Sequence, residues 1–193
     1  MRSSAHFICY CLGLSQPITQ TTEDERACLR RYASGKRRLV EIGVFHGVNT
    51  RSFREVMDRL GILIAVDPFP RSFFGFRGLG WARQIAHREV SGCGNGTVVW
   101  VETIGALAPQ DSRLAGYLPI DFVFIDGDHS WEGVAGDWTA WKSNVLSGGI
   151  VCLHDSRNRD GCGSERYTAE VISADPEFEV VETVNSLTVL RRK

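Results

Sequence analysis

The 193-residue sequence predicts a doubly wound α/β fold, a mostly parallel sheet with helices on both faces, on three observations. From Leu39 onward, short apolar runs ending in Gly or Asp alternate with helical patterns, which is the signature of βαβ units. Those runs are rich in β-branched residues and do not alternate apolar with polar, which suits strands buried on both faces. A loop carrying Gly43 and Gly47 joins the first run to the first helical pattern.

Taken in order, Thr21 to Ser34 reads as an N-terminal helix. Thr21 or Thr22 is its cap, and Glu23, Asp24 and Glu25 fill its first turn, where acids favour the helix dipole. Strands are expected near Leu39 to Ile42, Ile62 to Val66, Val98 to Val101, Phe122 to Ile125 and Ile150 to Leu153. Phe53, Val56, Met57 and Leu60 recur at helical spacing opposite Arg51, Arg54, Glu55 and Arg59, giving a crossover helix. Trp131, Val134, Trp138, Trp141 and Val145 form a second stripe, which Ser147-Gly148-Gly149 stops, so the tryptophans read first as core. A helical stretch from Glu165 to Ala174 ends at Asp175-Pro176. Phe178 to Val181 and Leu187 to Leu190, separated by Asn185-Ser186, then read as a closing hairpin. The chain is expected to be a single domain over 1–193, with an N-terminal helical or lid segment (1–38) before a cofactor-binding core (39–193).

Composition narrows the class. Hydrophobic residues at 43% and charged residues at 23% describe a globular protein and exclude a wholly disordered one. A net charge of -1 gives no field to draw in nucleic acid, and Lys36-Arg37-Arg38 and Arg191-Arg192-Lys193 read as solvated ends. The six cysteines form no Cys-x-x-Cys pair, which fits reduced thiols in a cytoplasm. No run reaches the roughly 18 apolar residues of a membrane helix. The stretch Phe7 to Leu14 lacks the length and cleavage site of a signal peptide and reads as a packing or lid segment.

The segment Glu41-Ile42-Gly43-Val44-Phe45-His46-Gly47-Val48-Asn49-Thr50 carries the chemistry. Its glycines let the backbone turn sharply and bring a ligand against a helix N-terminus. A dinucleotide site wants Gly-x-Gly-x-x-Gly around a pyrophosphate, whereas here the spacing is Glu-x-Gly-x-x-x-Gly, with a carboxylate that repels phosphate and attracts an ammonium group. The second strand ends in Asp67, 20 residues after Gly47, where a carboxylate meets ribose hydroxyls. An amino acid at one end and a ribose at the other describe S-adenosylmethionine. The plain alternative makes Glu41 a dipole partner and Asp67 a turn former.

Glu41 to Thr50, Ala65 to Pro68 and Asp121 to Ser156 resemble the motifs of class I methyltransferases, in particular the small bacterial group similar to macrocin- and cephamycin-type O-methyltransferases. The likeness runs over Leu39 to Lys193, and its most specific piece is Ile125-Asp126-Gly127-Asp128-His129-Ser130-Trp131-Glu132-Gly133. The resemblance implies a Rossmann-like seven-stranded sheet with a reversed last strand, a homodimer, and a place beside the adenine for Glu102-Thr103-Ile104. On this basis Glu41, Gly43, His46, Gly47, Thr50, Asp67, Thr103, Asp126 and Asp128 are the expected cofactor residues. A turn role is the alternative for His46, and helix capping is the alternative for Asp128.

Adjacent parallel strands bring the ends at Asp126 and at His154-Asp155-Ser156 to one rim, where carboxylates can hold a divalent cation. The resemblance makes Asp126 and Asp155 ligands, with His154 or Ser156 in the third place. Oxygen-rich ligation favours magnesium or manganese, although His154 softens the site. His129 stands where catechol-type relatives carry the proton-accepting base, and a capping histidine is the alternative. The aromatic segment Phe69 to Gly80, with Arg71, Phe73, Phe74, Phe76 and Arg77, is expected as a substrate-side lid, or else as a pinned surface loop or dimer contact. The function expected is O-methylation of a small hydroxylated molecule. A nicotinamide-dependent oxidoreductase or epimerase lacks its Gly-x-Gly-x-x-Gly and Tyr-x-x-x-Lys patterns here, and an inactive binding scaffold is the remaining alternative.

Overall fold

Two helices, α1 (Ser4–Cys11) and α2 (Glu23–Ala33), precede the sheet in the computed structural model, which describes residues 4–69, 72–73, 76–77, 81–92 and 94–193. Thr22 caps α2 in a reciprocal box: its hydroxyl accepts from the Glu25 N–H while the Glu25 carboxylate accepts from the Thr22 N–H. The acids expected in the first turn are there, and one of them, Glu25, is buried.

The chain then runs through β1 (Arg38–Ile42), α3 (Val48–Val56), β2 (Ile62–Val66), the short strands β3 (Ser72–Phe73) and β4 (Phe76–Arg77), α4 (Trp81–Val90) and β5 (Thr97–Val101). It continues with β6 (Ile120–Ile125), α5 (Trp131–Trp141), β7 (Val145–Leu153), α6 (Gly163–Glu170), β8 (Phe178–Val184) and β9 (Leu187–Arg192). The main sheet has seven strands in the order β5-β2-β1-β6-β7-β9-β8. Only β9 is antiparallel to its neighbours β7 and β8, which is the reversed last strand that was expected.

Three elements depart from the sequence reading. Helix α4 was not expected, because Ala82, Ile85 and Ala86 make a thin apolar stripe. Leu60 does not belong to the crossover helix, which Met57 caps, and it is 79% exposed. The Ser147-Gly148-Gly149 stop lies inside β7. Helix α5 is ended earlier by a 3-10 turn over Lys142–Asn144, and Gly148 (φ 76°) sits where the β6–β7 register shifts. Of the expected lid, only Phe69 and the backbone of β3 and β4, paired antiparallel, are described; the rest of 69–80 lies outside the described residues.

Strand alternation divides the core between the two faces. Val40, Ile42, Val123, Ile125, Val151 and Leu153 face α5 and α6, where Trp138, Trp141 and Tyr167 cover them. Leu39, Leu63, Phe122, Phe124 and Cys152 face α2 and α3. There Phe53 meets Phe122 and Phe124 edge-on at ring distances of 5.2 and 5.9 Å. Removing such a ring costs about 3–5 kcal/mol.

Candidate active site

Register places the site. Ile42 pairs with Val66 and Ile125, Val66 with Val101, and Ile125 with Leu153. The residues that follow, Gly43, Asp67, Glu102, Asp126 and His154, therefore stand in one row at the carboxyl rim. The connections reverse between β1 and β6, and at that switch point a crevice opens in such sheets. A cavity of about 900 Å³ lies there, lined by Gly43, Asp67, Asp126, Asp128 and His129 among the expected residues.

Gly43 (φ 88°) lets the β1–α3 turn pass against β6. A Cβ there would stand 2.0 Å from the Asp126 carbonyl oxygen, so only glycine fits. Gly47 (φ 75°) caps α3, and a Cβ there would stand 3.0 Å from the Ala86 Cα, a packing role outside the cavity wall. Asp67 lines the cavity and also shapes the loop. The Val44 and Phe45 N–H groups each donate to its Oδ2 at 2.9 Å, and the Phe69 N–H donates to Oδ1 at 2.7 Å. The Ser130 N–H donates to Asp128 Oδ1 at 2.9 Å, so Asp128 combines a cavity position with a turn that leads into α5, whose cap is Ser130.

Besides Gly47, four more expected cofactor residues do not line the cavity. Glu41 is fully buried behind the loop, with Oε2 accepting from Thr50 Oγ1 at 2.5 Å and Oε1 without a hydrogen bond. Burial, reinforced by the Asp126 and Asp67 charges and opposed by the Thr50 bond, raises its pKa well above the carboxylate range. Thr50 is likewise buried and reaches the site only through Glu41. His46 turns to a smaller pocket beneath α1, where its Nδ1 accepts from the Ile18 N–H at 3.1 Å and its ring stacks on Phe45 at 4.0 Å. Thr103 gives way to Ile104, Gly105 and Ala106.

Sequence reasoning missed Asp137, which is 5% exposed and lines the cavity beside Gly105 and Gly127. Burial, with the Asp128 charge added and the Ala106 N–H opposing, pushes its pKa up to about 7. An acid standing inside the Trp131–Trp141 apolar stripe was the available signal. The cavity wall is thus acidic, carrying Asp67, Asp126, Asp128, Glu132 and Asp137. Its arginine, Arg83, is paired with Glu102 at 2.7 Å.

At the β6–β7 end, His129 Nε2 stands 3.7 Å from Asp126 Oδ1 and 3.8 Å from Asp155 Oδ2. Asp155, expected as a metal ligand, is held on both oxygens by Arg159, at 2.8 Å from Nε and 3.1 Å from Nη2. Even so paired, Asp155 Oδ1 stays 3.7 Å from His154 Nδ1. A mixed set assembles here, in which Asp126, His129 and His154 bring one donor atom each within 4.8 Å of the others. His154 is 2% exposed, with Nδ1 2.8 Å from Asp126 Oδ1 and Nε2 3.6 Å from Glu25 Oε2. Burial pulls its pKa down, but Asp126, Asp155 and Glu25 outweigh that and hold it above the ordinary imidazole value. Ser156 bonds to Thr188 and to the Leu153 and Ser186 carbonyls, away from this group.

No curated protein matches the chain in sequence. Among solved structures, cofactor-bound Rv0187 from MTB superposes with a TM-score of 0.69 at 15% identity, over 97% of this chain and 88% of that one. The O-methyltransferase TomG from Streptomyces achromogenes, in complex with SAM, gives 0.64 at 16% identity over 98% and 87% of the two chains. The O-methyltransferase from Bacillus cereus, in complex with SAH, gives 0.62 at 15% identity over 100% and 93%. At these identities the likeness is one of fold. A family model described as a methyltransferase domain matches residues 40–156, from β1 through Asp155. That match takes in more than half of the sequence and both candidate strand ends, and the chain belongs to the methyltransferase-domain family.

Proposed function

We propose that this methyltransferase uses S-adenosylmethionine to methylate a hydroxyl of a small molecule. The observation that carries the reading is the charge of the cavity: among the described residues five carboxyl groups line it, and Arg83 there is paired with Glu102. Such a wall favours a ligand that bears a sulfonium and an ammonium and disfavours the pyrophosphate of a nicotinamide cofactor. Of its roughly four acceptor positions, Asp67 keeps one beyond those taken by three amides, and it suits a ribose hydroxyl. The acidic wall and the net charge of -1 also argue for a small acceptor over nucleic acid.

S-adenosylmethionine, when bound, supplies a methyl group already activated at sulfur. What remains for the chain is to align the acceptor oxygen and remove its proton. His129 lines the cavity and is assigned the proton. Asp126 and Asp155 stand 3.7 and 3.8 Å from its Nε2 and orient the ring, and Arg159 keeps Asp155 in place. A divalent cation belongs to the same reading: Asp126 and His154 would hold it, and when bound it lowers the pKa of a neighbouring hydroxyl. A cytoplasmic homodimer completes the proposal, on the family resemblance and the thiol content alone.

Calorimetry with S-adenosylmethionine, its demethylated product and NAD tests the reading. The first two are expected to bind and NAD is not. Preferential NAD binding would return the oxidoreductase alternative.

A further inference from the structure

We propose that the cation of this site is an imidazole-seeking first-row ion of the ferrous, cobalt or zinc class, bound through His154 Nδ1 and Asp126, and not magnesium. The proposal rests on the methyltransferase reading of the cavity for its purpose, but its ligand set comes from side chains alone.

The first support is a nitrogen without a bond. His154 Nδ1 is buried and lies 2.8 Å from Asp126 Oδ1, yet it makes no aligned hydrogen bond. A buried polar atom in that condition is rare and costly, and a cation between a nitrogen and a carboxylate lone pair resolves it.

The second support lies behind the ring. Glu25 faces Nε2 at 3.6 Å. Four donors fix the Glu25 carboxylate: the N–H and hydroxyl of Thr22 and the N–H and hydroxyl of Ser186. A carboxylate behind the far nitrogen is the usual companion of a metal-binding histidine, and Glu25 stands there at ion-pair distance, without a hydrogen bond to the ring. Here the companion comes from α2 and is fixed by the β8–β9 turn, so two distant elements converge on one imidazole.

The third support is the weakened oxygen donor. Arg159 pairs with both oxygens of Asp155 and weakens it as a ligand, so Asp126 is the carboxylate that joins the two histidines in the set. Magnesium binds imidazole poorly and prefers oxygen, whereas iron, cobalt and zinc accept nitrogen readily. His129 lies at the cavity edge of the group, its side chain 30% exposed, and is left on the acceptor side.

The test uses the full chain stripped of metal by a chelator and dialysed. Cobalt(II) is followed by its visible absorption, and cobalt, zinc and magnesium are compared by calorimetry. Cobalt and zinc are expected to bind roughly tenfold or more tightly than magnesium. His154→Gln and Asp126→Asn should each remove the cobalt spectrum, and Glu25→Gln should weaken binding about 10- to 100-fold. His129→Ala should leave the spectrum in place. Thermal unfolding identifies any variant that fails to fold, and the Asp126→Asn result then stands for the pair. Magnesium binding as tightly as zinc, no ion binding at all, or a cobalt spectrum unchanged in folded His154→Gln or Asp126→Asn would each overturn the proposal. The demethylated cofactor is titrated in parallel: its failure to bind would count against the methyltransferase reading, while the ion result is read independently.

Discussion

Thr50 donates its hydroxyl to Glu41 at 2.5 Å in a place where both side chains are fully buried, so the acid of the glycine loop is part of the scaffold behind the cavity. Burial holds its pKa well above the ordinary carboxylate value. Glu41→Gln keeps the shape and an acceptor, and is expected to hold cofactor affinity within about threefold, whereas Thr50→Val strands a buried acceptor and should cost about 1–3 kcal/mol of stability. Calorimetry and thermal unfolding of the two variants check this. A hundredfold loss of affinity in folded Glu41→Gln would restore Glu41 as a direct partner of an ammonium group.

Gly43→Ala combines a positive φ with a Cβ 2.0 Å from backbone oxygen of Asp126, which cannot yield as a flexible side chain would. The left-handed backbone alone costs roughly 1–2 kcal/mol, and the clash must displace the β1–α3 turn. Loss of cofactor binding with a clear fall in thermal stability is expected. Gly92→Ala is the control, since φ is 76° there but nothing lies within 4 Å. It should cost only the backbone term, and equal damage in the two variants would contradict the close-approach argument.

The rim was legible and the directions of its side chains were not. Asp67, Asp126 and His154 were found because each follows an uninterrupted apolar strand, and parallel register carries such residues to one edge. Glu41 lies inside β1, where alternation turns it with Leu39 toward α3, and a strand residue points to a face before it points to a rim. Asp137 was hidden because the tryptophan stripe absorbed the reading of α5. Glu25 was read as dipole chemistry at a helix start, and nothing local could show that the β8–β9 turn would return to bury it. Arg159 lies four residues beyond Asp155 in an irregular stretch, so its hold on that carboxylate appears only in three dimensions.

Asp137 sets a pH dependence whose sign can be worked out. Its folded pKa is about 7 against an ordinary 3.8, so between those values the folded chain holds a proton that the unfolded chain has released. Stability is therefore full below about 4 and is lost as pH rises through 7. The whole shift corresponds to about 4 kcal/mol, at 1.36 kcal/mol per unit. Asp137→Asn removes the dependence: the variant is expected to gain on the parent in thermal stability as pH goes from 5 to 8, and parallel curves would show that Asp137 is not the group responsible.

His129 is the residue on which turnover should depend while binding does not. Its ring lines the cavity beside Asp126 and Asp155, and the proposed reaction asks it only to accept a proton from the acceptor hydroxyl. Removing a positioned base costs typically 10²–10⁴-fold in rate. His129→Ala should therefore lose turnover in about that range at saturating cofactor, with affinity for the demethylated product within a few-fold of the parent. The cavity left by the ring should admit free imidazole, which is expected to restore part of the rate in the alanine variant and none in the parent. A purely structural histidine would give the opposite pattern, with lowered thermal stability, weakened cofactor binding and no rescue.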